Sequence, residues 1–228
     1  MKKQFYLVLD VEGARDIDNA LVYDVGGAIT DRAGIIYDKF SFVVKNIFGN
    51  GDNPIMDSAY YAIKIPRYRT GLKNGEFQMK NFYNVREHIK SLIEKYGVKE
   101  VMAFNASYDI RALNNTQKHT TQDRYKWFLP YGIKVSCIWH MACQTICKKK
   151  SYRTFCRENN LITPKNNIKT SAETVYAFMI NNPNFIEEHT GLKDVEIEVS
   201  IMAKCFAMKK KMNRKMNRAC WRIPQKIG

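Results

Sequence analysis

The sequence predicts a mixed α/β protein in which a five-stranded sheet is flanked by helices. The first observation is that three runs rich in β-formers precede any helical pattern, which predicts a three-strand antiparallel meander. The second is that strand and helix patterns alternate afterwards, as they do in proteins whose later strands run parallel. The third is the hydrophobic content, 45% of 228 residues, which is enough to bury a sizeable core.

The meander is predicted at residues 5–10, 23–30 and 35–44. The first run, FYLVLD, is almost continuously apolar, as expected for a buried central strand. Asp31 and Gly34 separate the second run from the third, and such punctuation is typical of a hairpin.

Residues 46–81 carry the weakest pattern, because Gly, Asn and Pro are frequent there. We expect a long surface excursion with a short helix near residues 58–62. A clear helix follows at residues 81–96, where apolar residues recur at helical spacing and Gly97 provides a C-terminal cap.

The second half of the chain continues the alternation of strands and helices. Strands are predicted at residues 98–104 and 133–138, and a basic turn at residues 148–153. Helices are predicted to begin at residues 108–113, to follow the second of these strands through Cys147, and to span residues 170–181 and 195–211. We place a domain boundary near residue 208, with a basic tail at residues 209–228.

The formal net charge of +15 favours polyanionic partners, nucleic acid before an anionic membrane. No apolar stretch approaches the ~20 residues that span a bilayer, and the apolar run near the N-terminus is too short for a secretory signal. The six cysteines all lie in the second half of the chain, which is not the pattern of a disulfide framework. We therefore expect a soluble cytoplasmic protein with free thiols and no membrane partner.

Acidic residues provide the first functional signal. Asp10 and Glu12 lie two apart at the end of a predicted strand, so both carboxylates project from one face. Adjacent acids raise each other's pKa unless a cation lies between them, and their oxygens suit Mg²⁺ or Mn²⁺. Taken alone, the pair also fits a solvated junction between a strand and a turn.

Two later segments add to this signal. Asp109 would lie one turn into a helix that follows a strand, with Asn105 at the junction; His189 and Asp194 precede another helix. Histidine titrates near neutrality and can take a proton from water. Each segment alone also has a local explanation, a first-turn acid or a helix cap. Together they place candidate ligands at strand ends and helix starts, where they can converge.

The ordered set resembles the DEDDh branch of the DnaQ-like 3′→5′ exonuclease superfamily, which has the ribonuclease H-like fold. The matching residues are Asp10 and Glu12 in the first motif, Asn105, Asp109 and Leu113 in the second, and His189 and Asp194 in the third. The resemblance covers about residues 5–208, and it implies a nuclease domain at residues 1–208.

The resemblance also implies roles for these residues. Asp10, Glu12, Asp109 and Asp194 would hold two Mg²⁺ or Mn²⁺ ions, and His189 would act as the general base. Gly13, Ala14 and Asn105 would contact the terminal nucleotide. The family commonly has threonines and glycine after the first Glu, so Gly13-Ala14-Arg15 is a departure that alters the expected sugar contacts.

Two basic and aromatic segments are candidate nucleic-acid surfaces, since cations bind phosphates and aromatic rings stack on bases. In the tail, the candidates are Lys209, Lys210, Lys211, Arg214, Lys215, Arg218 and Trp221. A solvated helix end with a frayed tail explains the same residues equally well. The second candidate platform consists of Tyr60, Tyr61, Arg67, Tyr68 and Arg69.

A zinc site is an alternative use of four other residues: Cys137, His140, Cys143 and Cys147. His140, Cys143 and Cys147 follow helical spacing, however, which is typical of a stripe that faces the core. We therefore favour a structural role for them.

The sequence thus predicts a metal-dependent exonuclease that removes nucleoside 5′-monophosphates from nucleic acid with a free 3′ end. Single-stranded DNA is the favoured substrate. An RNA-trimming exoribonuclease, a proofreading subunit and a non-catalytic nucleic-acid-binding protein are the alternatives. The short chain and basic tail suggest a phage-encoded nuclease acting in the host cytoplasm. The oligomeric state is not predicted.

Overall fold

The protein is described by a computed structural model that covers residues 3–49, 53–60, 62–122, 124–209 and 211–226. The sheet has six strands in the order β4-β3-β2-β1-β5-β6. The strands are β1 (Phe5–Ala14), β2 (Leu21–Asp31), β3 (Ile36–Val44), β4 (Gln78–Lys80), β5 (Glu100–Ala103) and β6 (Lys134–Cys137).

The pairing of these strands confirms the predicted mixed topology. β1, β2 and β3 form the antiparallel meander, and β5 and β6 continue the sheet in parallel beyond β1. The predicted number of five strands is wrong by one, because β4 adds a short parallel edge strand beside β3. A strand of three residues carries too little pattern to be recognised within the Gly-rich and Asn-rich segment that contains it.

Nine α-helices surround the sheet in the described part of the chain. They are α1 (Lys45–Phe48), α2 (Pro54–Asp57), α3 (Ile65–Lys73), α4 (Phe82–Tyr96), α5 (Ala106–Thr120), α6 (Ile138–Gln144), α7 (Lys150–Glu158), α8 (Ala172–Met179) and α9 (Gly191–Met208). Short 3₁₀ turns lie at Ala62–Lys64, Cys220–Arg222 and Pro224–Lys226.

The helices divide between the two faces of the sheet and build one core on each. The first core joins alternate residues of β1 and β2, such as Leu7 and Leu9, to α4 and α5. The second joins Tyr6 and Val8 of β1 to helices α6 to α9. β1 is therefore buried on both faces, which explains its almost continuous apolar sequence.

The segment at residues 46–81 differs from the predicted surface excursion. No helix occupies the predicted position near residues 58–62 within the described residues; α2 and α3 lie on either side of it. Tyr68 of α3 is fully buried and joins the core beneath the meander. Short helices of this kind are stabilised by tertiary packing rather than by their own propensity, so the local pattern does not predict them.

Two helix boundaries in the second half also differ from expectation. The predicted basic turn at residues 148–153 is instead the start of α7, which buries Tyr152 and Phe155 and leaves Lys150 exposed. α9 begins at Gly191, four residues before the predicted start, so Asp194 lies within its first turn.

The chain after α9, residues 209–226, folds back onto α6; we call it the C-terminal segment. The carbonyl oxygen of Arg214 accepts a hydrogen bond from the N–H of Cys137. The carbonyl oxygen of Lys215 contacts Nδ1 of His140. Cys220 is fully buried. The segment is thus attached to the body of the protein, and the separation at residue 208 stays a prediction.

All six cysteines are free and buried, as expected from their distribution. Among the described residues, no helix is both long enough and apolar enough to cross a membrane.

Candidate active site

Asp10 and Glu12 lie inside β1 rather than after it, since the strand continues for four residues beyond Asp10. Alternate residues of a strand face the same side, so both carboxylates point to one place. Across the β1–β2 pair, Asp10 lies opposite Gly26 and Glu12 opposite Asp24. A bulge directly after Glu12 ends this regular register at the rim of the site.

Asp109 approaches these acids from α5. β5 runs parallel to β1, and the chain leaves β5 through Asn105, which has the left-handed φ of 65° that asparagine adopts readily. Asp109 falls in the first turn of α5 and is 2% exposed. The backbone N–H of Val11 faces the carboxylates of both Asp10 and Asp109 and lowers the pKa of each, against the larger effect of burial.

Asp194 and His189 are positioned by a close contact between α9 and β2. The N–H of Gly191 donates to Oδ2 of Asp24 at 3.0 Å. A Cβ on either Gly26 or Gly191 would collide with the backbone of the other glycine. The close approach therefore requires glycine at both positions, and it places the first turn of α9 over the β1–β2 pair.

The structure brings all five predicted catalytic residues to one cavity of about 460 Å³. They are Asp10, Glu12, Asp109, His189 and Asp194. Glu12, His189 and Asp194 each offer one possible ligand atom, and these three atoms lie within 4.8 Å of one another. Asn105 also lines the cavity.

The carboxylates of this cavity have more oxygen atoms than donors to satisfy them. Within the described residues, the buried oxygens that have no hydrogen-bond partner include Oδ2 of Asp10, Oδ2 of Asp109, Oδ1 of Asp194 and Oε2 of Glu198. A buried polar atom without a partner costs about 1–3 kcal/mol, and a charged one more. An external group that accepts electron pairs from several carboxylates would remove this cost.

Burial and mutual repulsion raise the pKa values of these acids strongly. Burial raises the pKa of Glu12 to about 10 and that of Asp194 to about 9, and in both cases Asp10 adds repulsion. Burial also raises the pKa of Asp109 to about 8. Carboxylates ionise together in such a place when a cation lies between them. Hard oxygen donors of this number fit Mg²⁺ or Mn²⁺.

His189 stands at the edge of the cavity in a different electrostatic setting. Burial, followed by the positive charge of Lys64, lowers its pKa below the usual range. Its Nδ1 lies 3.9 Å from a carboxylate oxygen of Glu187. Its backbone has a positive φ of 50°, a conformation that residues other than glycine rarely adopt. A neutral imidazole at the mouth of an acidic cavity is suited to accept a proton.

No family model and no curated protein matches this chain. Solved structures of exonuclease I do match its fold. The zinc-bound complex of E. coli exonuclease I with single-stranded DNA gives a TM-score of 0.56 at 14% identity and covers 90% of this chain and 40% of that one. The complex of the E. coli enzyme with a dA16 oligonucleotide gives 0.57 at 12% identity, covering 91% and 42%. Apo exonuclease I gives 0.57 at 13%, covering 92% and 43%.

The chain has the ribonuclease H-like fold. The match confirms the predicted resemblance at the level of the fold. The chain spans about two fifths of the length of the exonuclease I structures.

Three further acids accompany this ribonuclease H-like site, and sequence reasoning missed them. Glu187 and Glu198 line the cavity, and Asp24 is buried directly beneath it. Asp24 accepts hydrogen bonds from the Tyr68 hydroxyl at 2.5 Å and from the Gly191 amide. Glu198 lies four residues after Asp194, one turn further along the helix. The helical spacing could therefore have predicted that both acids face the same side.

Of the three residues predicted to contact the terminal nucleotide, Gly13 and Asn105 lie at the rim of the cavity, whereas the prediction for Ala14 is wrong. Gly13 is buried, and a Cβ there would press against the hydroxyl of Tyr108, so a larger residue would have to displace that side chain. Ala14 is fully buried within the core; its side chain is therefore not available for a nucleotide contact. Asn105 remains at the cavity wall.

The basic residues predicted to bind nucleic acid in the C-terminal segment lie in different surroundings. Arg214 lies 3.4 Å from Glu100, and Arg218 donates to the hydroxyl of Ser107 at 3.0 Å. Lys209, Lys211 and Lys215 are exposed. Lys210 lies outside the described residues.

Trp221 forms part of a second cavity, of about 500 Å³, lined also by Lys165 and Lys169. This cavity shares Thr170 and Ser171 with the acidic one. Gln225 fixes the wall through hydrogen bonds in both directions with the backbone of Ile168. The two cavities therefore form a continuous surface.

The structure contradicts part of the second predicted nucleic-acid platform. Tyr68 is fully buried and cannot stack on a base, and Arg67 pairs with Glu76 at 2.9 Å and with Glu188 at 3.6 Å. Tyr60 is 84% exposed beside the rim, and Arg69 is also exposed. Tyr61 lies outside the described residues.

The alternative zinc site does not form. Within the described part of the chain, Glu12, His189 and Asp194 make the single group of three possible ligands, and it includes no cysteine. His140, Cys143 and Cys147 are buried in the core as their spacing predicts.

Proposed function

We propose that this protein is a metal-dependent 3′→5′ exonuclease of the DEDDh type that removes nucleoside 5′-monophosphates from single-stranded DNA. The observation that supports it most is the convergence of four acids and His189, distant in sequence, on one cavity. The fold shared with exonuclease I, whose structures include complexes with single-stranded DNA, supports the choice of substrate class.

Asp10, Glu12, Asp109 and Asp194 would hold the divalent cations. Their unpartnered buried oxygens and raised pKa values fit such a role. When bound, a pair of Mg²⁺ or Mn²⁺ ions would lower the pKa of the attacking water and offset the charge that develops on the phosphate.

His189 would take the proton from the water that attacks the terminal phosphorus. The bond from phosphorus to the 3′ oxygen of the preceding nucleotide would then break, and that oxygen would take up a proton from solvent to become the 3′ hydroxyl of the shortened strand. The lowered pKa of His189 keeps the ring neutral, and therefore basic, at pH 7. Asn105 and the backbone at Gly13 would flank the terminal nucleotide.

The C-terminal segment would bind the strand away from its 3′ end. Trp221 can stack on a base in the second cavity, and Lys165 and Lys169 can contact phosphates there. Exposed lysines of the segment would add attraction that does not depend on sequence.

The test is degradation of 5′-labelled single-stranded DNA, duplex DNA and RNA in Mg²⁺, in Mn²⁺ and in EDTA. We expect a ladder that shortens from the 3′ end, fastest on single-stranded DNA and absent in EDTA. A ladder on RNA alone would instead assign an exoribonuclease. Binding without any degradation would assign a non-catalytic protein that keeps the fold.

Matched variants exclude a contaminating nuclease. Asp10→Asn should lose the ladder while melting at or above the temperature of the wild type in EDTA, because it removes an uncompensated buried charge. Asp38→Asn provides the control, since Asp38 lies on β3 and pairs with Lys95 at 3.1 Å, away from the cavity. Full activity of the Asp10→Asn protein would reject the proposal.

A further inference from the structure

α9 brings a second acid into the cavity one turn after Asp194. Glu198 is 2% exposed and lines the cavity together with Asp10 and Asp109. Residues four apart on a helix lie on the same face, so Asp194 and Glu198 present two carboxylates side by side. The five-residue motif that predicted the site does not include Glu198.

The surroundings of Glu198 do not satisfy its charge. The backbone N–H of Phe104 faces the carboxylate and lowers its pKa slightly against the effect of burial. Its Oε2 is buried and, among the described residues, has no hydrogen-bond partner. After burial, the charges that affect its pKa most are those of Asp10 and Asp109, and both raise it because they are acids themselves.

A buried acid among acids is costly, and a leucine or glutamine at this position of α9 would be cheaper for folding. Glu198 therefore points to a bound group that the acids share. The acids of the cavity fall into two sets. Glu12 and Asp194 form one group together with His189. Asp109 and Glu198 line the cavity together with Asp10.

We propose that Glu198 is a further carboxylate of the divalent-cation site, acting together with Asp10 and Asp109. The inference rests on the cation site of the proposed function, but not on the identity of the nucleic acid or on cleavage. It can therefore be tested without substrate.

The experiment is a calorimetric titration of the full-length protein with Mn²⁺ at pH 7.5 in the absence of nucleic acid. We expect the wild type to bind two Mn²⁺ ions, and Glu198→Gln to lose one of them or to bind it about 10–100-fold more weakly. Glu198→Asp, which retains a carboxylate on a shorter side chain, should recover part of the affinity. Glu196→Gln is the control, because Glu196 is on the same helix but pairs with Lys39 and Lys193 outside the cavity.

Melting curves in EDTA and in Mn²⁺ separate this role from a packing role. Glu198→Gln should be at least as stable as the wild type in EDTA and should gain less from Mn²⁺. Unchanged Mn²⁺ binding in Glu198→Gln would overturn the inference, and so would failure of this variant to fold in EDTA, since the carboxyl would then be needed for packing alone. Wild-type protein that binds no Mn²⁺ would overturn the proposed function as well. Wild-type protein that binds Mn²⁺ without degrading DNA would overturn only the proposed function.

Discussion

The acidic cavity and the C-terminal segment are both strongly charged, and they are built in opposite ways. The acids are far apart in sequence, on β1, α5 and α9, yet they meet in one buried place where several oxygens have no partner. The bases of the segment are adjacent in sequence, yet they separate. Arg214 turns to Glu100 and Arg218 to Ser107.

The difference shows which charges the protein itself satisfies. Arg214 and Arg218 fasten the segment to the body, together with backbone hydrogen bonds to α6. The acids lower the free energy of unfolding as long as their buried oxygens have no partner, and the proposed cations would offset this cost when they bind. Changes in the cavity should therefore alter catalysis and metal-linked stability, whereas changes in the segment should alter affinity by modest factors.

The largest effect is expected for His189→Gln, which removes the proposed general base. We expect kcat on single-stranded DNA to fall by about 100-fold to 10,000-fold. Mn²⁺ binding should persist, because the carboxylates remain. The measurement is single-turnover cleavage together with calorimetric titration of Mn²⁺. A variant that loses metal binding in parallel with activity would make His189 a ligand instead of a base.

A smaller effect is expected in the stability of the metal-free protein as the pH changes. The pKa values of Asp109, Asp194 and Glu12 rise to about 8, 9 and 10 in the folded protein, whereas carboxyls of an unfolded chain titrate near ~4. The folded state therefore binds more protons between these limits, so the free energy of unfolding should fall as the pH rises from about 5 to 9.

Mg²⁺ should reverse this trend, because cations displace the protons from the carboxylates. Urea unfolding in EDTA and in Mg²⁺, at pH 6 and at pH 9, measures both effects. We expect the stabilisation by Mg²⁺ to be larger at pH 9. Equal stability of the metal-free protein at the two pH values would mean that the acids are satisfied without a cation.

The sequence was sufficient for the part of the fold that holds the acids. α4, with Gly97 as its left-handed C-cap, lies within one residue of its predicted bounds. Residues 46–81 could not be predicted, because α2, α3 and β4 are too short to carry a period of their own and depend on contacts such as that of Tyr68 with Asp24.

The residues predicted from the three motifs all line one cavity, whereas sequence reasoning missed acids whose position depends on strand register. Asp24 faces Glu12 only through the pairing of β1 with β2. The approach of Gly26 to Gly191 is a tertiary contact with no local signature. Glu198 was within reach, because an acid flanked by Ile197 and Val199 one turn after Asp194 must share its buried face.

In the C-terminal segment, we expect the greatest effect from Trp221→Ala. Loss of one stacked base costs about 1–3 kcal/mol, so affinity for single-stranded DNA should fall about tenfold. Fluorescence anisotropy with a labelled oligonucleotide in the Asp10→Asn background measures binding without cleavage. Trp221→Phe should retain most of the affinity. Trp127→Ala is the control, since Trp127 is 65% exposed and lines a different cavity.

The smallest effect separates the two kinds of base within the segment. Lys215 is exposed, whereas the guanidinium of Arg214 lies 3.4 Å from Glu100. Lys215→Ala should weaken binding about twofold to threefold and reduce the slope of log affinity against log salt by about 0.7, the value for one phosphate contact on a single strand. Arg214→Ala should leave that slope unchanged and lower the melting temperature instead, because its side chain is committed to the body of the protein. If both variants lowered the slope equally, the segment would be a single phosphate-binding surface after all, and the contrast with the acidic cavity would lie in burial alone.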